Sequence, residues 1–330
     1  MTTDRGHTRI ARRRGSRRDV EASVRAPSAA ALLRATAAGC AAAVIAQTAA
    51  AAPPLMDWPD LLGRPMPAAT RQFAYGPLPA QVADLWLPDG KGPFPVVLMV
   101  HGGCWRSRVA KLTIMNWAAE DLRRRGIAVW NIEYRGVDVL GGGYPGTFQD
   151  VAAAADELAK VGPAYHLKLD RVVAVGHSAG GHLAPWLAAR GHIAPGGPLS
   201  AARPLPIAAV VSLGGLPDLE LARRVGMCGE GTVEKLTGPA TPAHPAIYAD
   251  TSPAELPVTA PTVLINGVQD GIAPPEVGAA YVARMKDPRV TQIVLADTGH
   301  VELIAPGAAA WSRAAEVIDE LLRPTRSPRR

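Results

Sequence analysis

Three cysteines and three phenylalanines in 330 residues, with aromatics at 5%, leave too little to staple a scaffold together or to ligate a metal through thiolates. No metal and no cofactor is expected. Long runs of large apolar residues are also missing: the main apolar stretch, 29–52, is alanine-rich and broken by Arg34, which argues against a stable membrane span. No internal repeat is present, so a solenoid or propeller is excluded. Positive charge is scarce in the part that folds. Residues 1–25 carry eight arginines against three acids, Arg34 adds one more and the last eight residues another four, so the formal +6 leaves 53–322 near −4. A nucleic-acid-binding surface is a poor reading of such a body.

What is present divides into three parts. Residues 1–52 run from basic to apolar to alanine-rich before Pro53-Pro54, the layout of an export signal with its apolar centre at 35–46. The alternative is a disordered tail on a cytoplasmic protein. Residues 53–322 form one domain, and 323–330 a basic tail. Within the domain, apolar runs at 95–100, 127–132, 172–175, 207–213, 262–266 and 290–295 read as strands, after a first one at 81–87. Helical patterns at 111–125, 147–161, 179–190, 276–285 and 308–322 alternate with them, so an α/β class is expected, with a mostly parallel sheet covered on both faces. Thr147 and Asp150 have the spacing of a capping box for the second of these helices. The lead-in 53–79 is proline-rich and is assigned no element. Between 214 and 260 only 231–236 hints at helix, which suggests a small cap insertion.

The chemistry centres on Gly176-His177-Ser178-Ala179-Gly180, a G-x-S-x-G turn between the strand at 172–175 and the following helix. Such a turn holds a serine hydroxyl out of the sheet, so Ser178 is the candidate nucleophile. A serine hydroxyl needs a base, an orienting acid and an oxyanion hole. Asp270 follows the strand at 262–266 and His300 the strand at 290–295, and in a parallel sheet these strand ends share one rim with Ser178. The order Ser, Asp, His fits this fold class. His177, His182 and Asp297 are rivals: His177 adjoins the nucleophile and should point elsewhere, His182 lies on the helix, and Asp297 precedes the base too closely. Peptide N–H groups of Gly102, Gly103 and Ala179 supply the oxyanion hole, with His101 buttressing that loop.

His101-Gly102-Gly103-Cys104-Trp105, Glu133-Tyr134-Arg135, Gly176 to Gly181, Ser252-Pro253, Asp270 and His300 together resemble the α/β-hydrolase superfamily, in particular its carboxylesterase and kynurenine-formamidase-like members. The resemblance covers about 80–320 and implies an α/β-hydrolase fold and serine hydrolase activity. Cys104 departs from it, since glycine or an aromatic residue is usual there. The expected substrate is a small-molecule ester, cleaved through an acyl-enzyme; an aryl-formamidase-type amidase, a peptidase and a catalytically silent binding module are the alternatives. Cys104, Trp105, Met227 and Tyr248 are candidate pocket residues. If a signal carrying Cys40 is removed, Cys104 and Cys228 remain, and either a disulfide or two buried thiols satisfies the sequence.

Overall fold

Residues along the central strands divide alternately between two cores. In β3 (Phe94–Val100), Val96, Leu98 and Val100 join one apolar cluster while Val97 and Met99 join a second. In β5 (Leu167–His177), Val172 and Ala174 take the first side, Val173 and Val175 the second. That is the period-two geometry of strands buried on both faces. The computed structural model describes residues 54–323. The expected signal at 1–52 and the basic tail after Arg323 lie outside the described residues.

Eight strands form one sheet. β1 (Arg71–Ala74), β2 (Val82–Trp86), β4 (Ala128–Ile132), β3, β5, β6 (Ala209–Leu213), β7 (Thr262–Gly267) and β8 (Val290–Leu295) lie side by side in that order. The pairs β1–β2 and β2–β4 are antiparallel and the rest are parallel. The α/β class with a mostly parallel sheet is as expected. Leu61 of α1 (Trp58–Leu62), Trp117 of α2 (Asn116–Arg124) and Trp311 of α8 (Ala309–Leu322) fill the core on one face. Val151 of α3 (Gly146–Val161), Leu183 of α4 (Ala179–Ala189) and Val277 of α7 (Pro275–Met285) fill it on the other. Among the described residues no helix is long and apolar enough to cross a membrane.

The sequence reading fails at three places. The lead-in, assigned no element, contains α1, capped by Asp57, and the edge strand β1. These elements are short, and their amphipathic pattern is too brief to stand out among prolines. Segment 214–260 holds a second short helix, α5 (Leu219–Arg224), before α6 (Thr232–Thr237); Asp218 caps α5 by accepting the Leu221 N–H at 3.0 Å. The capping box at Thr147 and Asp150 does not form, because α3 starts one residue earlier behind Pro145. The Thr147 hydroxyl instead donates to the Arg135 carbonyl and accepts the Gly143 N–H, and the Asp150 carboxylate takes two bonds of 2.7 Å from the Arg135 guanidinium. Both residues fasten the loop 135–146 instead of the helix end.

Candidate active site

The turn after β5 carries backbone strain at one residue. Ser178 has φ 54° and ψ −118°, a conformation rare for a residue with a side chain. Crossing chains hold it there. A Cβ on Gly176 would lie 1.9 Å from the Gly180 carbonyl oxygen, and one on Gly180 would lie 2.1 Å from the Val100 carbonyl oxygen, so neither position admits another residue. The Ser178 N–H donates to the Leu213 carbonyl of β6 at 2.8 Å. In α4, Pro185 lacks the N–H that would bond the Gly181 carbonyl, and the Ser212 hydroxyl donates to that carbonyl at 2.8 Å in its place. The elbow is thereby tied to β3 and β6.

Asp270 and His300 meet at the ends of β7 and β8. The Asp270 Oδ2 accepts from His300 Nδ1 at 2.7 Å, and its Oδ1 accepts the N–H groups of Ile272 and Ala273 at 2.8 Å each. The carboxylate is fully engaged and the imidazole tautomer is set, with Nε2 left over. The structure makes no hydrogen bond between Ser178 and His300. Neither the Ser178 hydroxyl nor His300 Nε2 has a partner among the described residues, and neither is a sealed-off atom. Asp297, the rival acid, is exposed.

His177, expected to point elsewhere, joins the site. Its Nε2 donates to the His300 carbonyl at 3.1 Å, and its ring lies 4.3 Å from that of His300. Burial, reinforced by the nearby charges of His300 and His101, holds it well below the ordinary histidine range. It stays neutral beside His300. Two further residues escaped the sequence reading. Trp58 of α1 stands edge-on to both His177 and His300, at 6.2 and 6.4 Å. Glu302 accepts the Gly299 N–H at 3.1 Å and the Met56 N–H, joining the His300 loop to the chain before α1. No periodicity signals contacts across more than 240 residues of chain.

The loop after β3 abuts the elbow: a Cβ on Gly102 would lie 2.9 Å from Ser178 Cβ. The N–H groups of Gly102, Gly103 and Ala179 take no backbone acceptor among the described residues, the last because it opens a helix. Both ring nitrogens of His101 face acceptors, the Gly102 carbonyl at 2.6 Å and Glu133 Oε1 at 2.8 Å, and the ring stacks on Tyr134 at 4.3 Å. Burial alone would raise the Glu133 carboxyl. His101 and the N–H groups of Leu112 and Tyr134 outweigh it and hold the group below the ordinary glutamate range. Cys104 and Trp105 are both left-handed, with φ of 53° and 54°.

The candidate pocket residues separate into two groups. Cys104 and Met227 line a cavity of about 850 Å³ together with Leu221 and Val225 of the α5 region and Gly271 and Ile272 beside Asp270. Trp105 is fully buried and cannot line it; its Nε1 donates to His182 Nδ1 at 3.2 Å, which makes it a prop beneath the loop. Tyr248 packs against the same core as Met227 but is not among the residues that line that cavity. The sulfurs of Cys104 and Cys228 are bonded to each other, with Cα atoms 5.3 Å apart, and Arg106 donates to the Thr232 hydroxyl beside them. Segment 214–260 is thus tied covalently to the glycine loop. Among the described residues no cluster of side chains could hold a metal ion.

His182 donates through Nε2 to the Thr251 carbonyl at 2.8 Å, and burial pushes it down from 6.5 to about 4, the Thr251 carbonyl offsetting only part of the cost. The unfolded chain binds a proton there at the higher value and the folded chain only at the lower. Stability from this group is therefore complete above about 6.5 and is lost as pH falls through that window toward 4, by up to roughly 3 kcal/mol. Urea midpoints taken from about pH 7 to 4 are expected to fall more steeply for the wild type than for His182→Gln, which has no such proton to bind.

Solved structures share the fold of this chain. The chain superimposes on the bifunctional GH43-CE protein of Bacteroides eggerthii at TM-score 0.61 and 20% identity, covering 76% of this chain but only 35% of that one. A truncated carbohydrate esterase from gut microbiota gives 0.63 and 20%, covering 77% and 97% of the two chains. Thermogutta terrifontis esterase 2, phosphoramylated by tabun, gives 0.61 and 18%, covering 81% and 97%. The architecture is the α/β-hydrolase fold. No curated protein matches the chain. The BD-FAE family model matches residues 83–285, a span that runs from β2 through the elbow and Asp270 to the end of α7, and the chain belongs to that family.

Proposed function

We propose that the protein hydrolyses carboxylic esters of small molecules through an acyl-enzyme formed on Ser178. One observation carries the reading: an unpartnered serine hydroxyl on a strained elbow shares a sheet rim with a histidine whose Nδ1 is already committed to a buried carboxylate. Ser178 Oγ attacks the ester carbonyl and passes its proton to His300 Nε2, while Asp270 stabilises the imidazolium that results. The N–H groups of Gly102, Gly103 and Ala179 meet the oxyanion, each contributing about 3 kcal/mol in the transition state. His300 returns the proton to the leaving alcohol, and water then releases the acid. The adduct on the Thermogutta esterase and the phosphonate on esterase B of Lactobacillus rhamnosis belong to those proteins and support a reactive centre of this kind here.

Segment 214–260 serves as the cap, and the cavity between Cys104, Met227 and Ile272 takes the apolar part of the substrate. The Cys104–Cys228 bond suits an oxidising compartment, which supports export. A chain-length series of p-nitrophenyl esters run beside N-formylkynurenine tests the reaction. Turnover is expected on esters of short to medium chain and to exceed that on the formamide by at least about tenfold in kcat/KM. The reverse order would make the protein an amidase.

A further inference from the structure

A second cavity, of about 510 Å³, opens on the far side of the glycine loop. Ser107 and Lys111, which follow that loop, line it together with Glu133, Asp84, the apolar Leu78 and Leu140, and Arg135, whose guanidinium is committed to Asp150. Asp84 sits at its floor, on β2 one strand in from the sheet edge, with 7% of its surface exposed. Gln72, its register partner on β1, donates to Oδ1 at 2.9 Å; Oδ2 takes no donor from the described residues and is not sealed off. Asn131, its partner on β4, is fully buried and does not line the cavity. Of the buried aspartates, Asp150 faces Arg135, Asp218 faces Arg284 and Asp270 faces His300. Asp84 has no cation among the described residues. Burial lifts its carboxyl above the ordinary range, Glu133 adds to the lift, and the Gln72 bond offsets only part of it. An isolated buried carboxylate is costly unless something supplies a donor. At the mouth Leu140 is 99% exposed and Leu78 42%, so the rim is apolar where the floor is acidic.

The geometry points to a binding site, separate from the ester-cleaving centre, for a small primary ammonium carried on an aliphatic body: the ammonium against Asp84 Oδ2, the chain against Leu78 and Leu140. One N–H of the cation meets the free Asp84 Oδ2, its other donors stay toward the solvent-facing mouth, and the hydrocarbon covers exposed apolar surface. The reading does not depend on the hydrolytic one, since Ser178 takes no part in it.

Calorimetric titration with n-hexylamine at about pH 7.5, where the amine is charged, tests the site, with n-hexanol as the uncharged control. Hexylammonium is expected to bind at least about tenfold more tightly than hexanol, and Asp84→Asn to remove that difference while hexanol binding stays as it was. Ser178→Ala should bind both like the wild type. Lys111→Met, at an exposed position that does not enter the core, removes the lining cation that no carboxylate among the described residues pairs, Arg135 being held by Asp150, and should tighten hexylammonium binding. Equal affinity for amine and alcohol in the wild type, a retained preference in Asp84→Asn, or weaker amine binding in Lys111→Met would overturn the proposal. The lysine variant keeps the test open should Asp84→Asn fail to fold.

Discussion

Ser178→Ala is expected to lower kcat on a p-nitrophenyl ester by on the order of 10⁵-fold, about 7 kcal/mol of transition-state stabilisation, with residual turnover from the oxyanion donors alone. The loss should fall on kcat and leave KM nearly unchanged, because the hydroxyl contributes to the reacting complex and not to the apolar cavity beside Cys104. Stability should not fall with it. The Ser178 hydroxyl holds no hydrogen bond among the described residues, so truncation orphans no partner, and alanine meets the same φ of 54° as serine. A melting temperature near the wild type's, together with abolished turnover and no labelling by a phosphonate, is the expected pattern. Asp270→Asn should follow at about 10⁴-fold, since it leaves His300 Nδ1 without the carboxylate that sets its tautomer. Retained activity in Ser178→Ala would move the chemistry elsewhere.

Replacing Cys104 and Cys228 together by serine is expected to cost roughly 5 kcal/mol of stability. The bond closes 124 residues of chain, and a loop of that length removes about that much free energy from the unfolded state in the chain-entropy model. For a domain of this size that corresponds to a fall of about 10–15 °C in melting temperature, read by calorimetry with and without reductant. Activity should drop as well, by more than the folded fraction explains. Cys104 directly follows Gly103, and both Cys104 and Trp105 are held at positive φ. Contacts that survive reduction, such as the Trp105 bond to His182 and the Arg106 bond to Thr232, keep the loop near its place. The expected signature is a several-fold fall in kcat at temperatures where the variant is fully folded. A melting temperature unchanged by reductant would show that the bridge does not constrain the unfolded chain.

How much was legible can be told from particular residues. The valine-rich runs declared strands buried on both faces, since an alternation of core against core looks in sequence like one apolar run, and their spacing by helices declared a parallel sheet. Ser178, Asp270 and His300 could be picked out because each follows such a strand, and strand ends in a parallel sheet share a rim. The capping box failed because a three-residue spacing carries no information about a distant arginine, and Arg135 holds Asp150 more strongly than a helix N–H would. His177 was set aside because adjacency in a turn says nothing about what packs against the ring from a loop 123 residues away.

From the sequence alone came the fold class, the elbow, the order of the three candidate residues, the glycine loop and the acidic balance of the body. All of these follow from local periodicity, from turn chemistry or from composition, which act over a few residues at a time. Only the tertiary structure decided that Trp105 is a prop and not a wall, that α1 sets Trp58 beside His300, that Cys104 meets Cys228, and that Asp84 is left without a cation. Each of those depends on side chains far apart in the chain reaching within a few ångströms of one another, and such distances are set by how helices and strands pack, a quantity that no short stretch of residues encodes.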